Sequence, residues 1–196
     1  MPLVVFLRGI NIGGHRTFRP TILAKQLDHF GIVNIGATGT FVIRKAISQT
    51  RLRAELERRL PFDAEIIICH SNKILRLMSQ NPFERLRVGP DTVCFVSILS
   101  RRPRLEPFLP VAFPSNGKWL LKILARKDRF VFGEYRRDMK VIGYLGKVDH
   151  LFGVPVTTRN WNTINAVATV LADRGSWSSH HYPKKRGRHI ENRNRE

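Results

Sequence analysis

The sequence predicts an α+β protein made of two ferredoxin-like (split βαβ) units in tandem, with antiparallel or mixed sheets and a disordered basic C-terminal tail. Three observations predict it. Short β-branched and aromatic runs, roughly four to eight residues each, alternate with segments of helical period. The order strand, helix, strand, strand, helix, strand occurs once and can be read a second time. Beyond Gly175 the apolar pattern dissolves into Ser, His, Lys, Arg and Asn. The expected division is a first unit with a linker helix at 1–88, a second unit at 89–174, and a flexible tail at 175–196.

Leu3 to Leu7 is an apolar run closed by Arg8-Gly9, a buried strand. After a glycine-rich loop, Pro20 suits the first turn of a helix whose apolar face is Ile22, Leu23, Leu27 and Phe30, with Gly31 as its stop. Ile32 to Ile35 and Thr40 to Arg44 read as strands joined at Gly36-Ala37-Thr38-Gly39. Leu52, Leu56 and Leu60 define a helix face ended by Pro61, and Ala64 to His70 is the next strand. Ser71 is expected to cap a short helix through Met78, ending before Asn81-Pro82.

The second unit opens with a strand from Thr92 to Leu99. The Pro-rich segment from Arg104 to Leu109 leaves room for one short helix. Lys118 to Ala125 and Arg129 to Tyr135 form a hairpin turning at Lys127-Asp128. Ile142 to Phe152 reads as a helix ended by Gly153, Val154 to Thr157 as a short strand, and Trp161 to Ala172 as the final helix.

Charge is the abnormal feature of the composition. Of 196 residues, 34 are Lys or Arg and 15 are Asp or Glu, a net charge of +19, while the hydrophobic fraction of 42% is that of an ordinary globular chain. Arg174 to Glu196 holds seven Lys or Arg against two Glu, so the tail carries +5 and the remainder keeps +14. A field of this sign attracts nucleic acid and other polyanions. Cys69 and Cys94 fall in apolar strand-like runs and read as buried thiols in a reducing compartment. No apolar run approaches the ~18 residues of a membrane span, and the first residues lack a leader pattern, so a cytoplasmic protein is expected.

Two polar stretches could hold a ligand. Arg8-Gly9-Ile10-Asn11-Ile12-Gly13-Gly14 follows the first strand and precedes a helix, where backbone N–H groups can face an anion. It has neither the dinucleotide GxGxxG spacing nor a following GK[ST]. Its candidate binding residues are Arg8, Gly9, Asn11, Gly13 and Gly14; the competing reading is a set of turn glycines. Thr157-Thr158-Arg159-Asn160-Trp161-Asn162-Thr163 lies where a strand passes into a helix. Thr158, Arg159, Asn160, Trp161 and Asn162 are its candidate binding residues. Helix capping by Asn160 or Asn162 and core packing by Trp161 explain much of the same motif, but leave Arg159 without a task.

These two stretches, together with Asn81-Pro82-Phe83, resemble the N-terminal, C-terminal and central signatures of the domain-of-unknown-function 1697 family. The resemblance spans about Leu3 to Leu171. It implies a cytoplasmic bacterial α+β protein with no established activity. Where the family carries Gln-Ser-Gly-Asn, this chain has Ala37-Thr38-Gly39-Thr40, and Thr21 stands where a Met usually follows the helix Pro.

Other chemistry is sparse. The seven His residues show no metal-ligand spacing, no GxSxG or Cys/His nucleophile context is present, and Asp138 and Asp149 form no recognisable acid/base pair. Phe6 and Phe41 lack the consensus of an RNA-stacking sheet and read as core. The expectation is a non-enzymatic protein without cofactor or metal that binds RNA or DNA through charge, aided by Lys184, Lys185, Arg186 and Arg188 of the tail. The alternative is an enzyme or sensor that holds a small phosphate- or carboxylate-bearing ligand between the two signature loops, with Arg8 and Arg159 neutralising it.

Overall fold

The computed structural model describes residues 1–10 and 18–173. Asn11, Gly13 and Gly14, and the tail residues Lys184, Lys185, Arg186 and Arg188, lie outside the described residues.

The first half runs β1 (Leu3–Arg8), α1 (Pro20–Gln26), β2 (Ile32–Ile35), β3 (Thr40–Ile43), α2 (Gln49–Arg59), β4 (Glu65–His70) and α3 (Ser71–Gln80). Its sheet has the order β2-β3-β1-β4, and every neighbouring pair is antiparallel. β1 is therefore central, which fits its unbroken apolar run: Leu3, Val5 and Leu7 face one core, Val4 and Phe6 another. Phe6 and Phe41 are both fully buried, as read from the sequence. Pro20 starts α1, and a 3-10 turn from Asp28 to Phe30 carries the chain to Gly31. Ser48 caps α2, its hydroxyl accepting the Arg51 N–H at 3.2 Å. Ser71 does not cap α3: it is the first helical residue, and His70 occupies the cap position without a side-chain bond. β4 runs straight into α3, which leaves no loop residue to serve as a cap.

The second half runs β5 (Thr92–Leu99), β6 (Val111–Phe113), β7 (Leu121–Lys127), β8 (Phe130–Arg136), α4 (Val141–Leu145), α5 (Val148–Phe152), β9 (Val156–Asn160) and α6 (Trp161–Ala172). The sheet order is β6-β7-β8-β5-β9, again antiparallel throughout. No helix forms between Arg104 and Leu109. The backbone N–H groups of Arg104 and Leu105 instead reach the Phe152 carbonyl, and β6 follows as an added edge strand. Prolines at 103, 107 and 110 deny this segment helical hydrogen bonds. The helix expected from Ile142 to Phe152 is two short ones, α4 and α5, separated at Gly146-Lys147. β9 extends to Asn160, so Thr158 and Arg159 are strand residues that pair with Ser97 and Val96.

Gly133 makes the centre of this sheet possible. A Cβ there would stand 2.3 Å from the Lys122 carbonyl oxygen and 2.4 Å from the Phe95 ring. The absent side chain is what lets Phe95 lie across β8.

Three apolar cores stack through the molecule. α1 and α2 cover the outer face of the first sheet, with Leu52 and Leu56 of α2 fully buried. α4 and α5 cover the far face of the second sheet. Between the sheets lies a shared core in which Val4, Phe6, Val42 and Ile67 meet Val96, Ile98, Phe130 and Phe132, with α3 and α6 inserted through Ile74, Leu77, Ile164 and Val167. Cys69 and Cys94 are buried free thiols in this core, and burial pushes both up from the ordinary thiol value.

Candidate functional site

The ends of β1 and β9 meet at the junction of the two sheets, joined by Arg159 and by the Thr157 hydroxyl, which donates to the Leu7 carbonyl at 3.5 Å. Arg159 is 7% exposed. Its Nε–H donates to Thr40 Oγ1 at 2.8 Å. Nη1 donates to Thr157 Oγ1 and to the Thr158 carbonyl, each at 2.9 Å, and Nη2 to the carbonyls of Leu7 and Thr38, each at 2.7 Å. A guanidinium has five N–H donors, and five protein acceptors meet them here. The guanidinium carbon lies 5.8 Å from the centre of the Phe6 ring. All five acceptors are neutral carbonyls or hydroxyls, so no opposite charge offsets the cost of burying the guanidinium. Burial pulls the Arg159 pKa from 12.5 down to about 10.

Sequence reasoning left Arg159 without a task; its task here is to clamp β9 to the end of β1 and to the β2–β3 turn. The turn comes close because Gly39 has φ +68°, and a Cβ on it would lie 2.5 Å from Ile10 Cδ1 and 2.9 Å from Leu7 Cβ. The Leu7 N–H donates to the Gly39 carbonyl at 2.8 Å. Thr38 serves through its backbone, which any residue supplies, whereas Thr40 serves through its side chain. At Thr40, where the family pattern has Asn, a hydroxyl oxygen accepts from Arg159.

Arg8 is engaged as well. Its guanidinium pairs with the Asp149 carboxylate, whose second oxygen accepts the Val156 N–H at 3.1 Å. Burial pushes the Asp149 carboxyl up, against the opposing pull of Arg8 and the Val156 N–H. Arg8 and Arg159 thus come together at the junction through Leu7 and β9, but both face protein partners.

The remaining C-terminal signature residues face elsewhere. Asn160 caps α6, its Oδ1 accepting from the Thr163 N–H at 2.8 Å and from the Thr163 hydroxyl at 2.9 Å. Thr158 and Ser97 share a hydroxyl–hydroxyl hydrogen bond of 2.7 Å across β9 and β5. Trp161 stacks edge-on against Phe83, ring centres 5.1 Å apart, which ties the central Asn81-Pro82-Phe83 motif to the C-terminal one.

Asn160, Trp161 and Asn162 also line an open groove of about 370 Å³ with Thr92, Tyr135 and Arg137. Val88, Val93 and Cys94 complete its wall. Sequence reasoning missed Arg137 and Tyr135, which come from the end of β8, far away in the chain. The sheet order β8-β5-β9 brings them beside the signature. Gly9 has φ 74° at the end of β1. Among the described residues no group of three or more His, Cys, Asp or Glu is placed to hold a metal ion, and no helix is long and apolar enough to cross a membrane.

Residues 1–116 match the family described as "Protein of unknown function (DUF1697)". The match includes the N-terminal and central motifs and stops before the C-terminal one. Among solved structures, the conserved bacterial protein SP0830 from Streptococcus pneumoniae is similar at a TM-score of 0.55 and 14% identity, over 87% of this chain and 98% of that one. At that identity the likeness speaks for the mixed α+β fold alone. No curated protein matches.

Proposed function

On the premise that this chain belongs to the DUF1697 family of proteins of unknown function, we propose that it binds nucleic acid, without strong sequence preference, through its basic surface. The observation that carries this reading is the +14 that remains once the tail is set aside. Several of the few carboxylates are already taken: Asp149 by Arg8, Glu134 by Lys122, and Glu55 by Arg58 and Arg59. Exposed cations such as Lys25, Arg101, Arg102 and Arg137 remain in both halves. Such a surface releases counterions on binding phosphates, so affinity falls steeply with salt. The tail residues Lys184, Lys185, Arg186 and Arg188 add to the same attraction.

The test is a titration of labelled RNA and duplex DNA at two salt concentrations. Affinity that drops with a clear logarithmic salt slope is expected; roughly micromolar or weaker binding without a slope overturns the reading.

A second reading is a small anionic ligand between the two signature loops; all five Arg159 donors serve Leu7, Thr38, Thr40, Thr157 and Thr158, and Arg8, paired with Asp149, is the more exposed of the two cations. The architecture we propose is two split-βαβ units in tandem, in a cytoplasmic, non-enzymatic protein. In support, β2-β3-β1-β4 and β7-β8-β5-β9 place the corresponding strands of each unit in the same order, with β6 added at one edge.

A further inference from the structure

We infer that the groove at the start of α6 is a seat for single-stranded nucleic acid, with Arg137 taking a phosphate and Trp161 stacking a base. This rests on the nucleic-acid reading above and names where on the surface it operates. The groove combines three kinds of group that unpaired nucleotides use. Trp161 lines the groove and is half-buried, its ring packed against the shared core and T-shaped to Phe83 at 73°. Asn160 and Asn162 are both exposed and line the groove, and Asn160 spends its carbonyl oxygen on Thr163. Amide side chains can bond base edges or sugar hydroxyls.

Arg137 supplies the charge. It is exposed, directly follows β8, and among the described residues its guanidinium makes no hydrogen bond or ion pair. Its backbone is held, because its N–H donates to the Asp91 carbonyl at 2.8 Å. The cation is thus mounted on a fixed strand end beside an aromatic ring. Glu134, opposite the groove residue Cys94 in the sheet, is buried and paired with Lys122 at 3.5 Å.

The occupant is single-stranded because of shape. A base must leave the helical stack to lie against Trp161, and a duplex offers its bases only at groove edges. The groove is half-open to solvent, so an occupant can continue beyond it.

The experiment compares the full chain with Arg137→Glu and Trp161→Phe, using a fluorescent single-stranded oligonucleotide and a duplex of equal length. Phe at 161 keeps an aromatic contact with Phe83, and circular dichroism checks that both variants fold. The wild type is expected to prefer the single strand by about tenfold or more at fixed salt. Arg137→Glu should erase most of that preference, costing the single strand several-fold more affinity than it costs the duplex. Trp161→Phe should weaken the single strand by several-fold. Salt-dependent binding of both probes, with no single-strand preference and no effect of either variant, overturns the groove and leaves the charge-driven reading standing. Binding of neither probe overturns both.

Discussion

Replacing Arg159 with alanine removes a side chain that bonds β9 to both β1 and the β2–β3 turn. Three of its acceptors, Thr40 Oγ1, Thr157 Oγ1 and the Leu7 carbonyl, are buried, while the Thr38 and Thr158 contacts are part-buried and can be rehydrated. Each buried acceptor stripped of its donor costs about 2 kcal/mol, and because the Thr157 hydroxyl still reaches the Leu7 carbonyl at 3.5 Å, the loss is about 4 kcal/mol. Against this stands relief of the buried charge. A pKa drawn from 12.5 to about 10 corresponds to about 3 kcal/mol of unfavourable burial at about 1.4 kcal/mol per unit. The hydrogen-bond and charge effects net to a loss of about 1 kcal/mol, and the vacated volume of the buried side chain adds about 2 kcal/mol, about 3 kcal/mol in all. In a chain of this size that lowers the melting temperature by about 6–12 °C. Thermal and urea unfolding followed by circular dichroism would measure it. Arg159→Met separates packing from hydrogen bonding, because methionine fills much of the volume and donates nothing. A melting temperature of Arg159→Ala within about 2 °C of wild type would refute the clamp. So would an Arg159→Met protein as stable as the parent.

Further outcomes follow from the same geometry. Thr40→Val should cost about 1–2 kcal/mol in the parent but almost nothing in Arg159→Ala, a coupling that a double-mutant cycle in urea reads directly. Asp149→Ala should destabilise more than Arg8→Ala, by about 1–2 against under about 1 kcal/mol, because it also strands the Val156 N–H. The raised carboxyl of Asp149 contributes stability below its unfolded pKa that is lost as pH rises through the folded one, so Asp149→Asn should flatten the acid end of the stability–pH curve. Gly133→Ala should cost about 3 kcal/mol or abolish soluble expression, since the new methyl meets the Lys122 carbonyl and the Phe95 ring. Asn160→Ala should cost about 1 kcal/mol through the lost cap of α6, visible as a lower melting temperature.

Much of the element order was legible because local rules act within a few residues. Pro20 marks the start of α1, Leu52 and Leu56 mark the buried stripe of α2, and the β-branched runs of β1, β4 and β5 leave no polar face to expose. The misreadings have local causes too. Between Arg104 and Leu109 the prolines and the Phe152 carbonyl outweighed a weak helical pattern, and at Ser71 the strand passed into the helix with no residue left over for a cap.

The composition by itself determined the sign and size of the charge, and the motifs by themselves marked the stretches around Arg8 and Arg159 as special. What those stretches do was decided only by tertiary structure. Arg159 draws its acceptors from residues 7, 38, 40, 157 and 158, and Arg8 finds Asp149, 141 positions away. Hydrogen bonding at about 3 Å is set by which strands become neighbours, not by spacing along the chain. The same holds for the groove, where Arg137 meets Asn160, Trp161 and Asn162 only because β5 lies between β8 and β9.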